Sequence, residues 1–154
     1  MYIFVASYMA KLLIDNQLIA EEYFSDVRLI GIQCGLPPYS FINLLNNGLS
    51  FDFSLNIYTT IEVMKSRRKL SYNIYECKES NFELEHIIYI NKFDGEYLMP
   101  ELTHFDFLWM LKGESHTKKN IIHALIQYLN KLDQVSLVME LMRDKIKNKQ
   151  TLVL

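Results

Sequence analysis

The sequence predicts an α+β fold: a mainly antiparallel β-sheet with two principal helices packed on one face. Three observations carry this. Residues 104–112 alternate, with Phe105, Phe107, Trp109 and Leu111 facing one way and Asp106, Leu108, Met110 and Lys112 the other. Residues 117–132 place Ile121, Leu125, Tyr128, Leu129 and Leu132 on one helical stripe, with Lys119, His123, Gln127 and Asn130 opposite. Asp94-Gly95 is a two-residue turn signal between apolar runs. The predicted order is roughly β-α-β-β-β-β-α-β, in a single domain of residues 1–154.

The 154 residues are half apolar, with 22% charged and 13% aromatic, enough to bury one core and incompatible with global disorder. A net charge of −2 supplies no general attraction for nucleic acid. Cys34 and Cys77 stand far apart, which excludes CxxC zinc spacing and any disulfide framework; two reduced thiols in a cytoplasmic protein are expected. No apolar run reaches the ~18 residues of a membrane span, so no membrane association is expected. The opening M-Y-I-F-V-A-S-Y-M-A lacks a basic leader region, and Lys11 and Asp15 interrupt it.

In chain order, residues 26–34 (D-V-R-L-I-G-I-Q-C) read as a buried strand. G-L-P-P at 35–38 makes a turn and sets proline where a helix can begin. The helix over 39–47 carries Phe41, Leu44, Leu45 and Leu49 at helical spacing, and Asn47-Gly48 is expected to stop it. Residues 51–64 look strand-like through Phe51, Phe53, Leu55, Ile57 and Ile61, and K-S-R-R-K at 65–69 reads as a charged connection. Residues 72–78 and 86–92 predict a hairpin, with a further strand over 96–99 that Pro100 must end, since proline has no N–H for the ladder. After the strand at 104–112 and the helix at 117–132, residues 134–142 close the sheet and a basic tail follows.

The run M-P-E-L-T-H-F-D-F at 99–107 resembles the motif of the bacterial IPExxxVDY family. Pro100, Glu101 and Asp106 match identically, while Met99, Phe105 and Phe107 stand for the isoleucine, valine and tyrosine. The resemblance extends through F-L-W-M-L-K-G at 107–113, L-I-G-I at 29–32, Y-S-F-I-N-L-L-N at 39–46 and the closing K-N-K-Q-T-L-V-L, and covers residues 10–154 loosely in the loops. It implies no particular activity and carries over no catalytic residues. Phe107 lacks the tyrosine hydroxyl, so a scheme needing a phenol there fails in this chain. Family members tend to begin near a stretch like M-A-K-L-L-I-D at 9–15, which implies Met9 as the functional start and residues 1–8 as a disordered or spurious extension.

The motif residues are read first as structural. Pro100 fixes a corner, and Glu101 and Asp106 accept hydrogen bonds from main-chain N–H groups there or pair with a cation such as Arg28 or Lys112. Taken as a catalytic acid/base pair, the same carboxylates need a shared cleft and separated pKa values. A metal reading would combine His104 and Asp106, two apart on one strand face, with Glu101 or His116. His86 and His123 are expected on the surface, and Cys34 and Cys77 as apolar strand residues. No GxSxG, Walker or GxGxxG loop occurs.

Two basic segments hold eight of the sixteen lysines and arginines: Lys65, Arg67, Arg68 and Lys69, then Arg143, Lys145, Lys147 and Lys149. Brought together, they would bind phosphates, with Tyr72 or Tyr75 available for stacking; held apart, they are solvated loop and tail. The sequence therefore reads as a small cytoplasmic non-enzymatic binding or interaction module, with a protein partner or second copy and no cofactor or metal. A nucleic-acid-associated factor is the first alternative and an enzyme using Glu101 and Asp106 the second.

Overall fold

The computed structural model describes residues 15–78, 84–114 and 118–154. The expected start at Met9 and the 1–8 extension lie outside them, as does His116. The α+β expectation holds. Six strands form one sheet in the order β10-β1-β9-β6-β5-β2, every pairing antiparallel: β1 (Val27–Cys34), β2 (Ser54–Leu55), β5 (Ile74–Lys78), β6 (Glu85–Ile90), β9 (Phe107–Lys112) and β10 (Val135–Leu141). Two small hairpins stand apart from it, β3 (Ile61–Lys65) with β4 (Arg68–Tyr72), and β7 (Lys92–Phe93) with β8 (Glu96–Tyr97).

The two predicted helices are α2 (Pro38–Leu49) and α3 (Lys118–Asn130); a further helix, α1, occupies residues 15–23 and was not foreseen. Its exposed Leu18 and Ile19 blur any apolar stripe. Helices α2 and α3 share one face of the sheet. Phe41, Leu45, Ile122, Leu125 and Leu129 pack there on Ile30, Ile32, Ile88, Phe107, Trp109 and Leu111. Ile122 is the more deeply buried of the two adjacent isoleucines, one position from the predicted stripe. On the opposite face Leu29, Tyr89, Leu108 and Met110 are covered by irregular segments through Phe24, Met99, Phe105, Ile146 and Leu152, together with Leu70 and Tyr72 of the β3–β4 hairpin. The strand interiors are thus apolar on both faces, which explains their near-continuous hydrophobic runs.

Several local expectations are corrected. Helix α2 runs through Gly48 and stops at Ser50, whose φ of 56° is left-handed. Gly48 has another use: a Cβ there would collide with the Tyr128 hydroxyl on α3, so its bareness lets the helices approach. Residues 51–64 are not one strand. Only 54–55 and 61–65 pair, and between them the Asn56 side chain accepts from the N–H groups of Tyr58 and Thr59, bending the chain.

The supposed connection at 65–69 is a tight hairpin turn. Ser66 and Arg67 both take positive φ (50° and 64°), the primed-turn geometry that suits strand twist, with no glycine to advertise it. Asp94-Gly95 turns as predicted, with φ of 52° and 78°, but its strands hold only two residues each. β9 begins at Phe107 and not at residue 104, so Phe105 precedes the pleat and packs with the opposite cluster from Phe107 and Trp109. The C-terminal residues are no solvated tail, since Ile146 and Leu152 are buried and the Leu152 carbonyl accepts the Tyr89 hydroxyl at 2.6 Å.

Candidate functional site

The motif segment folds back on itself around Asn91, which is fully buried at the end of β6. Asn91 Nδ2 donates to the carbonyls of Leu102 (3.0 Å) and Phe105 (2.8 Å), and Oδ1 accepts the Met99 N–H at 3.0 Å. Its main chain adds two more bonds: the N–H donates to the Asp106 carbonyl, and the carbonyl accepts the Leu98 N–H. One amide thereby satisfies main-chain groups of a loop that cannot satisfy them as strand or helix. Sequence reasoning missed it. The available signal was a lone asparagine ending the apolar run H-I-I-Y-I.

Within the loop, Met99 is extended, as a residue before proline must be, and Pro100 opens a one-turn 3₁₀ helix, Pro100–Leu102. The Phe105 ring then lies against Gly31 on β1; an added Cβ would stand 2.7 Å from its Cδ1. Phe107 turns to the other face and stacks on Phe41, with ring centroids 4.3 Å apart.

Both motif carboxylates accept main-chain N–H groups, as the structural reading expects, but the donors come from distant segments and not from the turn itself. Asp106 Oδ2 accepts the Cys34 N–H at 2.9 Å, standing in for the carbonyl that β9 would have offered had it continued along β1. Glu101 reaches the C-terminal segment, where Oε1 accepts the Asn148 N–H at 3.1 Å and Oε2 the side-chain amide at 3.4 Å. The cations proposed as partners are engaged elsewhere. Arg28 forms a two-pronged pair with Glu140 on β10 (2.6 and 2.8 Å), and Lys112 pairs with Asp26 at 2.8 Å.

A cleft of about 630 Å³ opens where β1 runs into α2, lined among others by Gln33, Cys34, Pro37, Lys92, Tyr97 and Asp106. Asp106 borders it and Glu101 does not, so the two carboxylates do not share this cleft as an acid/base pair would need. Lys92 lies over the Tyr97 ring, 5.6 Å from its centroid. Cys34 is buried at the cleft floor, and burial, aided by the nearby Asp106, pushes its thiol pKa up, away from nucleophilic use. Among the described residues no three His, Cys, Asp or Glu side chains converge, so Glu101, His104 and Asp106 are not brought together.

Of the histidines, His123 is exposed as expected, but His86 is fully buried. It sits on central strand β6, where Trp109 Nε1 donates to its Nδ1 at 3.1 Å and the rings of Phe51 and Phe53 approach edge-on. A polar residue in a strand covered on both faces goes inward when a neighbour can pair with it.

The basic segments divide their charges among local partners. Arg68 pairs with Asp94 (2.5 Å) and Lys69 with Glu62 (2.9 Å). Arg143 donates to the carbonyls of Phe24 and Ser25, and Lys149 approaches Glu21 at 3.4 Å. No hydrogen bond or ion pair joins the two segments among the described residues, and Lys65, Arg67, Lys145 and Lys147 form no ion pair with them. Tyr72 is not available for stacking: it is buried, and its hydroxyl donates to the Glu96 carbonyl. Tyr75 is half-buried.

Apolar side chains break the surface along the sheet edge, at Leu137 and Met139 on β10 and at Met142 just beyond it. No helix among the described residues is long and apolar enough to cross a membrane. No protein-family model matches the chain, and no curated protein matches it.

Proposed function

We propose that this chain is a small non-enzymatic interaction module of the IPExxxVDY type, whose P-E-x-x-x-F-D segment locks a corner of the sheet and leaves the sheet edge for a partner. One observation carries the reading. The two carboxylates that a catalytic scheme would need accept main-chain N–H groups of Cys34 and Asn148, and in doing so tie the loop to the end of β1 and to the C-terminal segment. Groups used in this way hold backbone in place and have little freedom to move a proton. Further support comes from the resemblance itself: the motif and the closing K-N-K-Q-T-L-V-L touch each other through Glu101 and Asn148.

The test is to recover the full chain from its native cell under mild conditions, with light scattering and mass spectrometry of what accompanies it. A stoichiometric companion protein or a self-assembled species is expected. A strict monomer without any companion would remove the reading.

A further inference from the structure

The cleft at the end of β1 holds charges that the fold leaves unmatched. Residues of β1, β6, β7, β8, β9 and β10 and of the turn into α2 border it, and its volume of about 630 Å³ suits a small molecule. Lys92 on β7 and Asp106, just before β9, border this space with opposite charges. Among the described residues neither takes part in an ion pair, with the other or with any third group.

Each polar group here is held on one side and open on the other. The Lys92 ammonium rests over the Tyr97 ring, whose face supplies no acceptor oxygen, so its N–H groups stay available. Asp106 commits Oδ2 to the Cys34 N–H, while Oδ1 accepts no hydrogen bond among the described residues. Gln33 repeats the pattern: Oε1 accepts the Ser136 hydroxyl at 3.0 Å, and Nε2 donates to no group among those residues. Leu36, Pro37 and Ile90 supply an apolar wall beside them.

The two charges select what can enter. A simple anion would be drawn by Lys92 and repelled by Asp106, and a simple cation would meet the reverse. A molecule carrying both charges satisfies both. We propose that this cleft binds a free α-amino acid with an apolar side chain, a site separate from the interaction-module role and independent of it. Its carboxylate meets Lys92 and the Gln33 amide, its ammonium meets Asp106 Oδ1, and its side chain lies on Leu36, Pro37 and Ile90. Asp106 then serves twice. The bond that holds it to the Cys34 N–H also fixes its second oxygen in advance, so little ordering is left for binding to supply.

Titration calorimetry on the full-length chain tests this with three probes. L-leucine carries both charges, its methyl ester lacks the carboxylate, and N-acetyl-leucine lacks the ammonium. Leucine is expected to bind with millimolar affinity or better, and each derivative about tenfold more weakly, since each loses one charged contact. Lys92→Gln and Asp106→Asn should each weaken leucine by a similar factor. Asp106→Asn keeps an oxygen for the Cys34 N–H, and urea denaturation checks that both variants are folded. Amide NMR gives an independent readout: leucine should shift the signals of Gly35, Leu36 and Lys92. Absence of leucine binding at millimolar concentration overturns the proposal. So does equal binding of all three probes, affinity indifferent to both variants, or shifts confined to other parts of the chain. Should Asp106→Asn fail to fold, Lys92→Gln and the two derivatives decide the matter alone. None of these outcomes touches the module reading, which rests on recovery of a companion.

Discussion

The side-chain amide of Asn91 donates to the main-chain carbonyl of Phe105 at 2.8 Å, and the same Phe105 presses its ring onto Gly31 of the neighbouring strand. The motif loop is therefore held from both sides, by a polar clasp on one side and by close packing on the other. The carboxylates of Glu101 and Asp106 tie its ends to the C-terminal segment and to β1.

Because Asn91 serves three main-chain groups inside the core, Asn91→Ala takes this partner from the Met99 N–H and the Phe105 carbonyl and leaves the Leu102 carbonyl with the Phe105 N–H alone. The expected loss is about 3 kcal/mol of unfolding free energy, read by urea denaturation. A loss under about 1 kcal/mol would show that the loop finds other partners.

At Gly31 the limit is space. Gly31→Ala should cost about 1–3 kcal/mol, because the obstructing atoms belong to a ring wedged in the second core. Combining it with Phe105→Leu should cost less than the sum of the two single changes, as a double-mutant cycle would report.

The motif acids should rank by burial of the groups they serve. Asp106→Ala orphans the Cys34 N–H at a half-buried site and should cost about 1–2 kcal/mol. Glu101→Ala removes a longer, more exposed contact and should cost about 0.5 kcal/mol. Asp106→Asn keeps an acceptor oxygen and should be milder than Asp106→Ala. The reverse order, by thermal or urea melting, would contradict the geometry.

Tyr89 sets an alkaline limit. Burial, with the neighbouring Tyr23 adding to it, pushes its hydroxyl well above the ordinary tyrosine range, and that hydroxyl donates to the Leu152 carbonyl. The folded protein therefore holds this proton more tightly than the unfolded chain. Stability from this group is intact below pH ~10 and falls as pH rises beyond it. Tyr89→Phe should cost about 1 kcal/mol at neutral pH and flatten the decline above pH ~10, measured by urea midpoints across pH.

The two thiols should differ in reactivity. Cys77 is half-buried, whereas Cys34 is buried with its pKa raised. Alkylation followed by mass spectrometry should modify Cys77 first, and Cys34 at a rate that follows unfolding.

What the sequence made legible was whatever has a local period or a local steric rule. The helices α2 and α3 were visible from apolar spacing, the strands β1, β9 and β10 from hydrophobic runs, the Asp94-Gly95 turn from its φ preference, and the Pro100 corner from the missing N–H. That Glu101 and Asp106 accept main-chain N–H groups was legible as a need for donors, since a carboxylate near a core must be satisfied.

Identities of partners lay beyond reach, because those partners are set by which distant segments meet. Only the tertiary structure chose Cys34 and Asn148 as donors, sent Arg28 to Glu140, turned His86 inward toward Trp109, and gave Asn91 its place. The same holds for Gly48, whose local signal says helix stop while the packing of Tyr128 makes it a point of close approach, and for Ser66-Arg67, where hairpin pairing imposes positive φ on residues that do not favour it. Backbone preferences are decided within a few residues, so a sequence displays them directly. Hydrogen-bond pairing and close packing depend on three-dimensional proximity, which arises only when the whole sheet closes around its two cores.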